Sequence, residues 1–468
     1  MAYPQDSNLT PLFEPRGIAV IGSMKEPYGE GYAVVQNLLD FGFSGSIHPV
    51  SRSAEEVLGI RAYPSIDDLD GPVDLAMMIT PLPTVQGLVD QCGRKGVKTA
   101  IVATEGFAET GGEGVALQQQ LVATAHRYGM RLLGPNTLGV LNTANGLVTS
   151  PYPIGRNQPV RGGAAYCSQT GLLTFGVHPI GDRAYPISKM CDFGNKSDLN
   201  EVELLDYLAA DPDTKVIAMH LEDIKDGRRF IEAARRASAQ KPVLILKPGR
   251  SEAGARAASS HTGSLAGDDQ VYDKAFSQAG VIRLNTWRDF WEVPRTMALQ
   301  PLPRGNRAAI ITASGGGGVL LIDATQETGL VPAVFTAGTS SLLQQVSTRL
   351  GGNPVDIGPL MALRDDPFTL YEELVPVLLA DPNVDCAAIV CHFNPVVVEV
   401  FRGLAPRMCA TGKPVTLFGY GTDLREMEEC GRQLEALGLP AYFDLEMAAR
   451  ALGMAARAAS LRPDEAAA

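Results

Sequence analysis

Short apolar runs bounded by turn residues alternate with helical patterns along most of the 468-residue chain. Runs at 18–21, 73–79, 97–103 and 131–133 have strand length, and amphipathic stretches at 33–41, 85–95 and 115–128 lie between them. Near-continuous apolar strands separated by helices predict a parallel sheet covered on both faces, a Rossmann-like domain. The stretch TSPYPIGRNQPVRGG at 149–163 is rich in Pro and Gly and reads as a connection. Alternation then restarts, with strands predicted at 164–167, 216–221 and 243–247 and helices at 170–180, 199–210 and 228–239. Small residues from Gly249 to Gly267 read as a loop. After a second connection, PLPRGNR at 301–307, a third series carries strands at 308–312, 387–391 and 415–418, and the terminal PDEAAA reads as frayed. The expected fold class is α/β: three Rossmann- or flavodoxin-like, doubly wound parallel-sheet domains at 1–148, 149–300 and 301–468.

Composition changes this picture in a few places. No apolar run reaches the roughly 18 residues that span a bilayer, so no membrane segment is expected. Forty Lys and Arg against 52 Asp and Glu give a net charge of -12, which disfavours nucleic acid. Any anionic ligand must be held by local donors. The 49 Gly and 32 Pro exceed average usage, and the glycines sit where strand-to-helix turns would need them. Cys92, Cys167, Cys191, Cys386, Cys391, Cys409 and Cys430 are odd in number and lack a C-x-x-C pair. They read as reduced thiols of a cytoplasmic protein, with no disulfide frame and no protein metal site. Residues 1–15 have no basic region followed by an apolar core, so no secretory signal is expected.

Four segments could carry chemistry. Arg16-Gly17-Ile18-Ala19-Val20-Ile21-Gly22-Ser23 is a strand running into a glycine turn, which presents backbone N–H groups to a phosphate. It lacks G-x-G-x-x-G, and Val50-Ser51-Arg52-Ser53 stands where an NAD site wants an acid; Arg52 suits a phosphorylated ribose better, the alternative being a structural turn with a solvated arginine. Cys167-Ser168-Gln169-Thr170-Gly171 is a second such turn, able to hold an anion or simply to cap a helix. The 249–267 segment carries two arginines and His261. A histidine can serve as a nucleophile toward phosphate when its attacking nitrogen is neutral and a carboxylate fixes the tautomer; otherwise it is a surface residue. Glu222 ends an apolar strand, the usual place for a site residue in an open parallel sheet, or for a solvated carboxylate. His392 ends a strand and reads as a core residue, with an interface position as the alternative, and Trp287 and Trp291, at i and i+4, read as packing rather than a substrate cage.

The segment GRSEAGARAASSHTGSLAG resembles the phosphohistidine loop of the ADP-forming (NDP-forming) acyl-CoA synthetases, the superfamily of succinyl-CoA synthetase. AVIGS at Ala19, DLAMMITP at Asp74, EGFAETGGEG at Glu105, LLGPNTLGV at Leu132, CSQTG at Cys167, DFGNKSDLNEVELLDYLAADPDTKVIAMHLEDIKDGRRF from Asp192 and NPVDIG at Asn353 follow in the family's order. The resemblance implies that His261 is phosphorylated and that Glu222 orients it. It places phosphate at Ser168, Thr170 and Gly171. It places CoA and the acyl end at Gly22, Ser23, Val50, Arg52, Ser53, Ile79, Thr80, Pro81, Thr104, Glu105 and Asn136. The implied reaction interconverts acyl-CoA, phosphate and ADP with a small carboxylic acid, CoA and ATP, with Mg2+ accompanying the nucleotide. The chain has no G-x-x-x-x-G-K-[ST] loop and no ATP-grasp unit, so it is expected to be an α subunit that needs an ATP-grasp β subunit in a homo- or hetero-oligomer. The alternatives are a CoA-binding sensor and nucleotide-independent acyl transfer. Two departures stand out: Ser53 replaces the family lysine of V-N-P-K, and Ser314-Gly315-Gly316-Gly317-Gly318 replaces N-A-G-G-P-G.

Overall fold

The computed structural model describes residues 9–154, 160–173, 185–262 and 269–462, with backbone alone at Leu173 and 258–262. The chain divides into two units, Met1–Ile180 with Ile187–Arg283, and Gly181–Pro186 with Leu284–Ala468.

In the first unit, β1 (Gly17–Gly22), β2 (Ser46–Val50), β3 (Leu75–Ile79), β4 (Thr99–Val102) and β5 (Arg131–Leu133) form a parallel sheet in the order β2-β1-β3-β4-β5. Helices α1 (Glu30–Asp40), α2 (Leu82–Lys95) and α3 (Glu113–Arg127) connect them. Ile18, Ala19 and Val20 of β1 and Leu75 to Met78 of β3 are fully buried, as the unbroken apolar runs require. The chain moves outward from β1 to β2 and then returns to β3 on the other side. The order therefore reverses between β1 and β3, which opens a crevice at their carboxyl ends.

A second sheet of the same unit contains β6 (Val140–Asn142), β7 (Leu147–Val148), β8 (Val160–Ser168), β9 (Pro186–Asp192), β10 (Val216–His220), β11 (Val243–Leu246) and β12 (Ile282–Leu284). Its order is β12-β11-β10-β8-β9-β6-β7, with β8, β10 and β11 parallel and β6 antiparallel to both β9 and β7. Helices α4 (Glu201–Ala210) and α5 (Gly227–Gln240) pack against one another. Asn200 and Glu203 close a capping box at the start of α4, and Asp226 caps α5. One apolar core joins the two sheets: Ile18, Val20 and Leu75 from the first, Ala165, Ile217, Met219 and Ile245 from the second.

The pattern of apolar positions missed β9. All seven of its residues are buried although Ser188 and Lys189 interrupt the run. Tertiary partners make this tolerable: Lys189 Nζ lies 2.7 Å from Asp211 Oδ2, and the Ser188 and Thr214 hydroxyls meet at 2.8 Å. The expected loop at 249–267 is corrected over 252–262, while 263–267 lies outside the described residues. Residues 252–262 form α6 (Glu252–Thr262), followed by α7 (Asp269–Gln278). The small residues are largely alanine, the strongest helix former, and the Ser251 hydroxyl accepts the Gly254 N–H at 3.1 Å at the helix start. Of the helix expected at 170–180, Gly171–Leu173 is a 3-10 turn, and the remainder lies outside the described residues.

The second unit opens with α8 (Trp287–Leu299). Its sheet contains β13 (Arg307–Thr312), β14 (Val331–Pro332), β15 (Val355–Asp356), β16 (Cys386–His392), β17 (Val415–Tyr420) and β18 (Ala441–Tyr442). The order is β14-β13-β16-β17-β18, with β15 also on β13, and these pairings are parallel. Helices α9 (Gly315–Glu327), α10 (Ala337–Val346), α11 (Thr369–Ala380), α12 (Pro395–Ala410), α13 (Leu424–Ala436) and α14 (Leu445–Leu461) cover it. Trp291 packs edge-on to Tyr185 and Phe290, whereas Trp287 is 39% exposed. His392 is half-buried at the end of β16, bonded to Asn394 and edge-on to Tyr420, so it is not a core residue. Among the described residues no helix is long and apolar enough to cross a membrane.

Candidate active site

The crevice between β1 and β3 contains a cavity of about 1190 Å³. Backbone proximity explains the glycines that shape it. A Cβ on Gly22 would stand 2.9 Å from the Ile79 carbonyl oxygen, and one on Gly31 would stand 3.0 Å from that of Ser23. Only glycine lets the β1–α1 turn close this tightly against β3. Gly22, Ser23, Val50, Arg52, Ser53, Ile79, Thr80, Pro81, Thr104 and Glu105 all line the cavity. Of the residues expected to contact CoA or the acyl end, Asn136 alone lies elsewhere. The Thr104 hydroxyl donates to the Thr80 carbonyl at 2.6 Å, tying the ends of β3 and β4 together. Arg52 and Ser53 are exposed in a turn organised by Ser51, whose hydroxyl accepts the N–H groups of Ser53 and Ala54. Lys25 lines the same cavity. The sequence reading missed it by looking for a lysine only after β2; its signal was a cation three residues past the Gly22 turn.

A second cavity, of about 690 Å³, shares Glu30, Ile79, Ala103 and Glu105 with the first and extends to the carboxyl ends of β8, β9 and β10. Asn136 lies here, in left-handed backbone (φ 59), its N–H donating to the Thr104 carbonyl at 3.1 Å. Thr170, Gly171 and Glu222 are on its wall. Ser168 is buried beneath it: its hydroxyl donates to the Thr170 carbonyl at 2.9 Å, accepts the Thr170 N–H at 3.0 Å and lies 3.3 Å from His220 Nδ1. Ser168 thus shapes the turn and does not face the cavity. Glu222, half-buried, stands two residues beyond β10, and its N–H donates to Gln169 Oε1 at 2.8 Å. Gln169 also takes the Asp223 N–H and donates to Asp223 Oδ1 at 2.7 Å, locking the two turns together. The backbone of His261 falls in the last turn of α6; its side chain lies outside the described part of the structure.

Two buried carboxyl groups on this wall have opposite electrostatics. Burial would raise Asp223, but the Lys196 ammonium at 2.6 Å and the Gln169 amide hold it below the usual carboxylate range. Asp192, at the end of β9, is pushed up to about 6 by burial and by the charge of Glu222, against the N–H groups of Leu138 (2.7 Å) and Gly194 (3.2 Å) that bond its two oxygens. At the end of β11, burial and the neighbouring Arg283 lower Lys247, whose Nζ donates to the Pro248 carbonyl and stands 4.7 Å over the Tyr272 ring. The sequence reading assigned roles to none of Asp192, Lys196 and Gln169. Their signals were two family-like segments, CSQTG for Gln169 and the one that begins at Asp192 for Asp192 and Lys196.

Residues 16–143 match the CoA binding domain family, and residues 161–297 match the succinyl-CoA ligase like flavodoxin domain. The chain is 40% identical over 446 residues to the acetate–CoA ligase (ADP-forming) II subunit alpha of Pyrococcus furiosus, a match covering 92% of this chain and 93% of that one. The chain belongs to the ADP-forming acyl-CoA synthetases. Within that family it is 32% identical to the 4-hydroxybutyrate–CoA ligase (ADP-forming) of Nitrosopumilus maritimus, over 82% of this chain and 54% of that protein. Its fold superimposes on the dinucleotide forming acetyl-coenzyme A synthetase 1 of Ca. Korarchaeum cryptofilum, solved in complex with phosphate and ADP. The TM-score is 0.88 at 33% identity, over 98% of both chains.

Proposed function

We propose that this chain is the α subunit of an acid–CoA ligase that interconverts acyl-CoA, phosphate and ADP with a carboxylic acid, CoA and ATP. The observation that carries the reading is the wall shared by the two cavities: a thioester entering the β1/β3 crevice past Ile79 and Glu105 would reach the Gly171 turn and Glu222. A volume of about 1190 Å³ suits a ligand as large as CoA, with Lys25 and Arg52 as cations for its phosphates. The Thr170–Gly171 turn brings a threonine and a glycine to the wall where phosphate would sit.

In this reading a phosphate oxygen attacks the thioester carbonyl, the C–S bond breaks, and an acyl phosphate forms as CoA leaves. The neutral imidazole nitrogen of His261 then attacks phosphorus, and the bond to the acyl oxygen breaks, releasing the carboxylate. Glu222 holds the other ring N–H and stabilises the cation. Phosphohistidine finally passes its phosphoryl group to the terminal phosphate of ADP, which makes ATP and restores the imidazole. We assign the nucleotide and its Mg2+ to an ATP-grasp β subunit; the name "subunit alpha" carried by the Pyrococcus relative supports a partner. The division at 1–148, 149–300 and 301–468 and a hetero-oligomeric enzyme go with this reading.

The test is incubation of the full chain with an acyl-CoA and labelled phosphate. Acid-labile label on His261, absent in His261→Ala and reduced at least tenfold in Glu222→Gln, is the expected result. CoA binding with no label in the unaltered chain would overturn it in favour of a CoA-binding sensor.

A further inference from the structure

Asp192 has no part in the mechanism above, yet it faces the turn on which that mechanism places phosphate. A Cβ built on Gly171 would stand 4.0 Å from Asp192 Oδ2, so the turn and the carboxyl group are near neighbours. Asp192 is 3% exposed, and each of its oxygens already accepts one backbone N–H. Among the described residues, the charged groups around the cavity are Glu30 on α1, Glu105 and Glu109 beyond β4, and Glu222, Asp223 and Lys225 beyond β10. Several of these charges are committed elsewhere. Asp223 is paired with Lys196; Glu109 accepts from the Gly106 and Phe107 N–H groups and from Asn195. The Lys225 ammonium donates to the carbonyls of Asn195 and Lys196. Among the described residues the wall carries one lysine or arginine, Lys225, and its ammonium is tied to those two carbonyls, so a phosphate dianion at Gly171 would meet the Asp192 carboxylate at the turn itself.

We propose that Asp192 takes up a proton when the phosphate dianion enters, so that a carboxylate that repels the anion becomes a hydroxyl donor to it. Each carboxyl oxygen has a second lone pair, which leaves room for the proton while the Leu138 and Gly194 N–H bonds persist. Burial and Glu222 have already brought the group to about 6, and the added negative charge moves it further in the same direction. The sign follows. Near pH 7 the free site is mostly ionised and the occupied site protonated, so anion affinity falls as pH rises above about 6, by up to tenfold per unit. This inference rests on the phosphate-site reading.

Sulfate is the probe, because it remains a dianion across the range and contributes no titration of its own. Binding of labelled sulfate to the full chain, with saturating CoA to fill the first cavity and with phosphate as competitor, is measured by equilibrium dialysis from pH 6 to pH 8. The expected result is a dissociation constant that rises about tenfold per pH unit in the unaltered chain and stays flat in Asp192→Asn. Equal slopes in the two chains, or no slope in the unaltered one, overturn the proposal. Because Asp192→Asn loses one N–H acceptor and could misfold, infrared difference spectra of the unaltered chain give an independent readout. A protonated-carboxyl band must appear on adding sulfate at pH 7, and its absence overturns the proposal. If neither sulfate nor phosphate binds the CoA-loaded chain at any pH, the phosphate-site reading itself fails. Binding without proton uptake sinks the Asp192 role alone.

Discussion

At Gly171 a single methyl group would stand 2.8 Å from Leu138 Cδ1, inside van der Waals contact. Gly171→Ala must displace either the turn or Leu138, whose N–H is held by Asp192. The expected outcome is a loss of about 1–3 kcal/mol in stability from overpacking, read from urea unfolding. Labelling of His261 should fall steeply in this variant while CoA affinity is retained. Gly171 and Gly22 were legible in the sequence because a glycine between an apolar run and a helical pattern reports a local backbone need. Asp192 and Lys189 were not legible. Their polarity reads as exposure, and only long-range packing turns them into a proton-binding group and a buried ion pair.

Among the elements, the first and third sheets use one device twice. Arg16, just before β1, forks onto Asp74, just before β3, at 2.8 Å through both Nε and Nη2. Arg307, the first residue of β13, does the same to Asp385, just before β16, at 2.8 and 2.9 Å. Each pair fastens adjacent parallel strands where the chain enters the sheet, which in the first sheet is the end opposite the crevice. The arginines hold both carboxyl groups below the usual carboxylate range. Since the folded values are depressed, the stability they contribute is complete above the unfolded value of 3.8 and is lost as pH falls through the folded one. Asp74→Asn and Asp385→Asn should lower the urea midpoint at pH 7 and flatten its fall between pH 4 and pH 2. An unchanged acid limb would remove the pairs from the account of stability. The repetition is visible as R-G-I-A-V-I with V-D-L-A-M-M-I, and R-A-A-I-I-T with V-D-C-A-A-I-V; the pairing itself is not, since 58 and 78 residues separate the partners. The α6 helix is the opposite case. Its small residues suggested a loop, yet their helix propensity and the Ser251 cap were in the sequence throughout.

At the scale of the whole molecule, burial decides what charges do. In the second unit Arg295 is 1% exposed, bonded to Glu292 and the Ala441 carbonyl, paired with Glu435, and placed between the rings of Tyr185 and Tyr442. Arg295→Met would leave two buried carboxylates without their cation. The expected cost is about 3–5 kcal/mol in a denaturant melt, largely recovered when Glu292 and Glu435 are also made apolar. The sequence by itself determined the alternation of strand and helix, the glycine and hydroxyl turns at 22 and 168–171, and the family. These are written in local periodicity, in backbone steric needs and in motif order. Only the tertiary structure decided that the strand order reverses beside β1, that two cavities share the wall at Ile79 and Glu105, and that Ser168 supports the turn from below. It also decided that burial and Glu222 push Asp192 up to about 6 while Lys196 holds Asp223 below the usual carboxylate range. Solvation and the distance to other charges are set by residues far apart in the chain, so no local pattern encodes them.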